Sequence, residues 1–312
     1  MCDTNTGSEA NFRLIRLWLN RCLKTHKECA LRISALPNIP TRILDVGTTN
    51  QPQDPKVVSG VGRFGPYIAL SHVWGLEQII TTTKATLKSH ALGIPLNFLS
   101  KTFQDAVFVA RELNIQYLWI DSLCIVQDSV EDWEVESSKM GEYYRNAILT
   151  VAATRSKDGK GGCFSDNSNF WLLKPCPTGS SWTRSPSGDF KFIRHDSSAM
   201  AYASSASSSE NPLEYRAWCI QERLLSPRLL SYSHDGMSFM CPSSYSSERF
   251  PEGTDLAERM DTEYLRSLRD LFSKFGVMSS NRVDSNEESR IKAIRDWYNV
   301  WYRLISIYSS CQ

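Results

Sequence analysis

Two short apolar runs break off abruptly into polar residues. The first is Tyr67-Ile-Ala-Leu-Ser-His-Val-Trp-Gly75 and the second is Tyr117-Leu-Trp-Ile-Asp-Ser-Leu-Cys-Ile125. Continuous apolar runs of this length predict strands buried on both faces, here about 67–72 and 116–121. Residues 41–46 and Ile148–Ala153 predict two more strands. Ser100 is placed to cap a helix in which Phe103, Ala106, Val107, Ala110 and Leu113 share one face. Further helices are predicted over 11–24 and from Ser129 to Asn146, and Gly47 to Gly65 reads as a turn-rich connection. Strand alternating with helix favours an α/β fold, a parallel sheet flanked by helices. In such sheets ligands bind beyond the carboxyl ends of the strands, which points to Ser71, His72, Asp121 and Ser122.

Beyond residue 154 the pattern changes. Residues 155–214 are rich in Gly, Ser and Pro and read as a loop-rich insertion with a few short strands, partly disordered around Ser197 to Ser209. A helix is predicted over Tyr215–Leu225. A hairpin follows, from Arg228–Tyr232 to Met237–Cys241, and then a mostly helical tail. These features divide the chain into a lead segment, 1–60, an α/β domain, 61–245, and a tail, 246–312.

The 35 Lys+Arg balance 34 Asp+Glu, so no charge excess points to nucleic acid or an anionic membrane as partner. No run approaches the roughly 18 apolar residues of a membrane span, and Met1-Cys-Asp-Thr-Asn-Thr lacks the regions of a signal peptide. A cytoplasmic location is expected. The nine Cys, an odd number without framework spacing, then read as mostly reduced thiols.

Projected at 100° per residue, the helix 129–146 carries a stripe of Trp133, Met140, Tyr144 and Ala147, with Glu136 inside it. A carboxylate on a buried face must find a partner or hold its proton. Either outcome suits a catalytic carboxylate, and an ion pair with Arg145 or Arg216 is the purely structural alternative. Ser71-His72 and Asp121-Ser122 invite a hydrolase triad, but neighbours on a strand face opposite sides and no Gly-x-Ser-x-Gly elbow is present. Cys124 and Cys219 sit in apolar surroundings, where a thiol is an inert core residue. Cys22, His26 and Cys29 have the spacing C-x3-H-x2-C. A structural zinc site needs a fourth protein ligand, and no second CxxC pair supplies one, so the first reading is an amphipathic helix end with two buried thiols and a metal site is the alternative. Arg216, Trp218, Gln221 and Glu222 form a polar cluster that either lines a site or anchors its helix. The glycines of 58–65 precede a strand rather than follow one and so do not form a phosphate-binding loop.

Together these blocks resemble the heterokaryon incompatibility (HET) domain family of filamentous fungi. The likeness rests on Tyr67–Gly75, then on Thr102-Phe-Gln-Asp-Ala106, Tyr117–Asp128, Asp132-Trp133, Glu136, Met140 and Tyr144, and finally on Arg216-Ala-Trp-Cys-Ile-Gln-Glu-Arg-Leu-Leu-Ser226. It covers about 67–241, and the upstream Trp18–Cys22, His26, Cys29 and Pro40–Val46 look like the segment that often precedes such domains. The resemblance implies a role in fungal non-self recognition and programmed cell death. A suggested distant kinship with Toll/interleukin-1 receptor (TIR) domains implies a flavodoxin-like sheet and NAD as substrate rather than cofactor. In TIR enzymes the catalytic Glu lies in a helical Trp-x-x-Glu, which Trp133-Glu-Val-Glu136 matches. Glu136 is then the expected catalytic residue, with Ser71, His72, Trp74, Asp121, Ser122, Trp133, Arg216, Trp218, Gln221 and Glu222 binding substrate. A homo-oligomer or an incompatibility partner protein is the implied partner. The alternatives are a non-catalytic assembly module and an inactive, truncated paralogue, since such domains usually lead into a larger C-terminal region and this chain stops at Gln312.

Overall fold

The computed structural model describes residues 5–30, 37–75, 79–166, 180–184, 190–194, 212–215, 222–234, 236–248 and 251–255. Its centre is the pair of apolar runs. Strand β3 (Tyr67–Ser71) is buried along its whole length, and β4 (Tyr117–Trp119) lies parallel to it with Ile68 opposite Leu118. On the other side of β3 runs β5 (Leu149–Ala152), also parallel, followed by β8 (Leu229–Ser233).

Antiparallel strands extend this parallel core at both ends. One end carries β1 (Arg42–Thr48) and β2 (Gln51–Ser59). The other carries β9 (Gly236–Met240), β10 (Ser244–Ser247) and β11 (Thr254–Asp255). The sheet has nine described strands in the order β11-β10-β9-β8-β5-β3-β4-β1-β2. It is therefore mixed, not the parallel sheet that strand–helix alternation predicted. The hairpin links β1–β2 and β8–β9 are too short for the crossover a parallel pair requires. A separate two-stranded antiparallel sheet joins β6 (Ser180–Arg184) to β7 (Phe190–Arg194) within the predicted insertion.

The turn-rich reading of Gly47 to Gly65 misses β2. Its residues, Gln51-Pro-Gln-Asp-Pro-Lys56, read as loop, yet β2 is an edge strand paired on one side only. An edge strand tolerates Pro and polar residues because half of its backbone groups face solvent.

Around the sheet lie α1 (Glu9–Thr25), α2 (Lys27–Ala30), α3 (Leu87–Leu92), α4 (Lys101–Glu112), α5 (Asp121–Cys124) and α6 (Val130–Asn146). Ser8, Ser100 and Ser129 cap α1, α4 and α6 through their side chains, each accepting a first-turn N–H. The β3→β4 and β4→β5 crossovers run to opposite sides of β3. Right-handed connections then place α4 and α6 on opposite faces of the sheet. The contacts agree. Tyr67 donates to the Tyr143 carbonyl of α6, and Trp119 meets Tyr143 at a tilt and Tyr144 edge to face, whereas His72 meets Phe103 of α4 edge to face. On the α4 face, α1 docks through Phe12 against Phe108 and through Arg16 to Glu112.

No helix among the described residues is long and apolar enough to cross a membrane. The predicted helical tail beyond 255, the Ser-rich stretch and residues 216–221 of the predicted Tyr215–Leu225 helix lie outside the described residues. Glu222 to Leu225 at its end are helical.

Candidate functional site

Strand β3 sends its connection to β4 on one side, and β5 sends its connection to β8 on the other. Where neighbouring parallel strands diverge in this way, a crevice opens beyond their carboxyl ends. Ser71 closes β3 at that point. Asp121 follows β4 at the same edge and opens α5, where its Oδ1 accepts from the Ser122 N–H at 2.7 Å.

The alternation along β3 is visible in the partners its side chains take. Ser71 faces the α6 side, where its hydroxyl donates to the carboxylate of Glu222. Both groups are buried. The helical turn that carries Glu222 is tied down through Ser226, whose hydroxyl meets the Glu222 carbonyl at 2.5 Å and Thr150 Oγ1 of β5 at 2.6 Å. His72 points to the opposite side, with Nδ1 3.8 Å from Asp121 Oδ1. The indole N–H of Trp74 donates to the second oxygen of that carboxylate at 2.9 Å. Asp121 is the exposed member, its side chain 23% accessible against 1% for His72. One edge of the sheet thus carries two polar groups, Ser71 with Glu222 on the α6 side and His72, Asp121 and Trp74 on the other. Ser71 and His72 take different partners, as their positions on one strand require, so the hydrolase triad is not assembled.

Glu136 belongs to a second network, on α6. It is buried, as the helical projection required. Tyr143 donates to its Oε2 at 2.8 Å, and Lys139 Nζ stands 3.6 Å from its Oε1. Thr41, just before β1, meets both Tyr143 OH at 3.1 Å and Lys139 Nζ at 3.4 Å. Among the described residues its partners are Lys139 and Tyr143, and Arg216 lies outside them. Burial pushes the Tyr143 phenol up, and the Glu136 carboxylate adds to the effect. The phenol therefore remains a hydrogen-bond donor to Glu136.

Trp133 departs from the projection. It shares an angle with Met140 and Tyr144 but is 49% exposed. Ser122 is buried in α5, and its hydroxyl has no hydrogen-bond partner among the described residues. Arg216, Trp218 and Gln221 lie outside the described residues. Cys124 is fully buried and its thiol is pushed up to about 12 by desolvation, which fits the inert role expected of it.

The amino-terminal thiols gain a partner that spacing could not supply. Cys22 and Cys29 are joined by Cys241, next after β9, and by His26, the residue that ends α1. His26 and Cys241 are 215 residues apart in the chain, so a search for local ligand pairs passes over them. The one local sign is a strand ending in Cys241 followed at once by the turn former Pro242.

Compared with protein-family models, residues 67–222, half of the 312-residue chain, match the family described as Heterokaryon incompatibility protein (HET). That span begins at the first residue of β3 and ends at Glu222, so it encloses the whole crevice cluster. No curated protein and no solved structure matches the chain.

Proposed function

The chain belongs to the Heterokaryon incompatibility protein (HET) family, and from that premise we propose that it acts in fungal non-self recognition and cell-death signalling by TIR-like cleavage of NAD. The observation that supports this reading is the placing of two polar groups, Ser71 with Glu222 and His72 with Asp121 and Trp74, at the carboxyl edge of the parallel strands. Such an edge is where α/β sheets hold nucleotides. Carboxylates and a hydroxyl suit a ribose diol, and Trp74 with the exposed Trp133 offers flat faces for the two bases.

The chemistry asks for one well-placed carboxylate. The C1′–N bond breaks with its electron pair leaving on nicotinamide, and positive charge develops on the ribose. Water then adds to C1′ and gives up a proton. A carboxylate beside C1′ stabilises the charge and takes that proton, as in a glycosidase. Glu136 is the proposed carboxylate, on the strength of Trp133-Glu-Val-Glu136 and of its burial on the helix that opens beside the crevice. Each of its oxygens already has a protein partner, so acting on substrate requires it to exchange Lys139 and Tyr143 for the ribose.

A second reading is a non-catalytic module working by assembly. It is favoured by exposed Val130, Trp133 and Val135 on the first half of α6, at 69%, 49% and 51% accessible. The deciding experiment is nicotinamide release from NAD by the folded, artificially clustered protein, beside Glu136→Gln and Glu222→Gln. Turnover by wild type, reduced at least about 100-fold in Glu136→Gln, is the expected result, in the range set by loss of a catalytic carboxylate. Turnover retained by Glu136→Gln removes that residue from the chemistry. No turnover by the folded wild type moves the function to the assembly module.

A further inference from the structure

We infer that Cys22, His26, Cys29 and Cys241 form a structural zinc site that staples the N-terminal helices to the strand β9. The four ligand atoms, three thiol sulfurs and an imidazole nitrogen, all lie within 4.8 Å of one another. His26 Nδ1 is 3.3 Å from Cys241 Sγ and 4.0 Å from Cys29 Sγ. A tetrahedral zinc with Zn–S of about 2.3 Å and Zn–N of about 2.0–2.1 Å requires ligand atoms roughly 3.5–3.8 Å apart. The observed separations straddle that edge length. The three cysteines are free and buried.

A second observation is the charge beside the cluster. Arg228, which just precedes β8, is one of the largest fully buried side chains. Its Nε donates to Cys22 Sγ at 3.2 Å, and its other nitrogens donate to the carbonyls of Cys29 and Ile148 at 3.3 and 3.2 Å. Among the residues whose side chains are described, it has no carboxylate partner. A buried guanidinium needs a counter-charge. Zinc with three thiolates and a neutral imidazole carries one net negative charge, and Arg228 is placed against one of the thiolate sulfurs to offset it. Arg228 also holds the backbone of α2, the helix that supplies Cys29, which is how an outer-shell partner orients a ligand.

Location indicates what the metal does. Leu229 pairs with both Thr150 and Met240, so Arg228 and Cys241 lie at the amino edge of the parallel strands. The crevice with Ser71 and Asp121 lies at the opposite edge. Four protein ligands leave no open position for substrate, as in structural zinc sites. The ligands flank the family-matched span on both sides, at 22–29 and at 241. Each of the three thiols releases a proton as the metal enters, so binding strengthens as pH rises.

The test uses the full chain, purified under reducing conditions. Elemental analysis is expected to find one zinc per chain. After chelation, the chain is expected to take up Co2+ with the visible absorption of a tetrahedral thiolate site. Cys241→Ser and Cys29→Ser lose the metal, and Cys163→Ser, a buried thiol outside the cluster, keeps it. Should the serine variants fail to fold, Cys241→His preserves four ligands and is expected to retain zinc. A folded wild-type chain that neither carries zinc nor binds Co2+ overturns the proposal. So does metal retained undiminished by Cys241→Ser, or a disulfide within the cluster of the purified chain.

Discussion

At Gly75 the chain leaves the end of β3 with φ near +75°, and a Cβ there would lie 2.5 Å from Asp158 Cβ. Asp158 is itself fixed, accepting from the Lys160 and Gly161 amides at 2.8 and 3.2 Å. The glycine therefore serves a left-handed turn and a close approach at once, and both sit beside the crevice. Gly75→Ala is expected to destabilise the fold by roughly 1–2 kcal/mol from the backbone alone, with more from the overlap. A drop in the urea midpoint at unchanged slope would confirm it, and an unchanged midpoint would refute it. Reading residues from the sequence succeeded where periodicity decides the outcome. The burial of Glu136 and the opposed directions of Ser71 and His72 both follow from helix and strand geometry. It failed where a neighbour decides the outcome. Trp133 is 49% exposed although it shares an angle with buried Tyr144, and Lys139, one helical turn from Glu136, stands beside that carboxylate.

The short helix α3 shows what holds a weak element in place. Six residues are too few for a helix to persist unaided, and its one buried residue is His90. The His90 ring meets Thr82 Oγ1 at 2.9 Å, while that hydroxyl gives its proton to the Leu123 carbonyl at 2.7 Å. The imidazole Nδ1 must then be the donor. Burial lowers the His90 pKa, so the folded state disfavours its protonation. The unfolded chain binds that proton first, at about pH 6.5, and folding stability falls as the pH drops below that value. Urea midpoints measured from about pH 7 to pH 5 should fall more steeply for wild type than for His90→Gln, and parallel curves would count against this account. Among the elements, α4 and α6 were legible because each carries a serine cap and an apolar stripe. Strand β2 was not, since an edge strand needs no apolar alternation.

For the molecule as a whole, the lead segment is part of the sheet. Strand β1 pairs with β4 on one side and β2 on the other. Helix α1 buries Phe12, Ile15 and Trp18, and Trp18 donates to the Pro251 carbonyl at 2.7 Å. Without residues 1–60, β4 would become an open edge and the α4 face would lose its cover. Residues 61–245 alone are therefore expected not to unfold cooperatively, and a sharp two-state urea transition from that fragment would refute the expectation. The sequence by itself determined the parallel core, its helices, the polar ends of β3 and β4 and the family they resemble. Those features depend on contacts close in the chain, where the periods of helix and strand leave a readable pattern. Tertiary structure alone decided that the sheet is mixed, that Ser71 meets Glu222 and that Cys241 completes the cluster around Cys22, His26 and Cys29. Each of these joins groups far apart in sequence, and such pairings depend on how the packed elements meet, which leaves no local period to read.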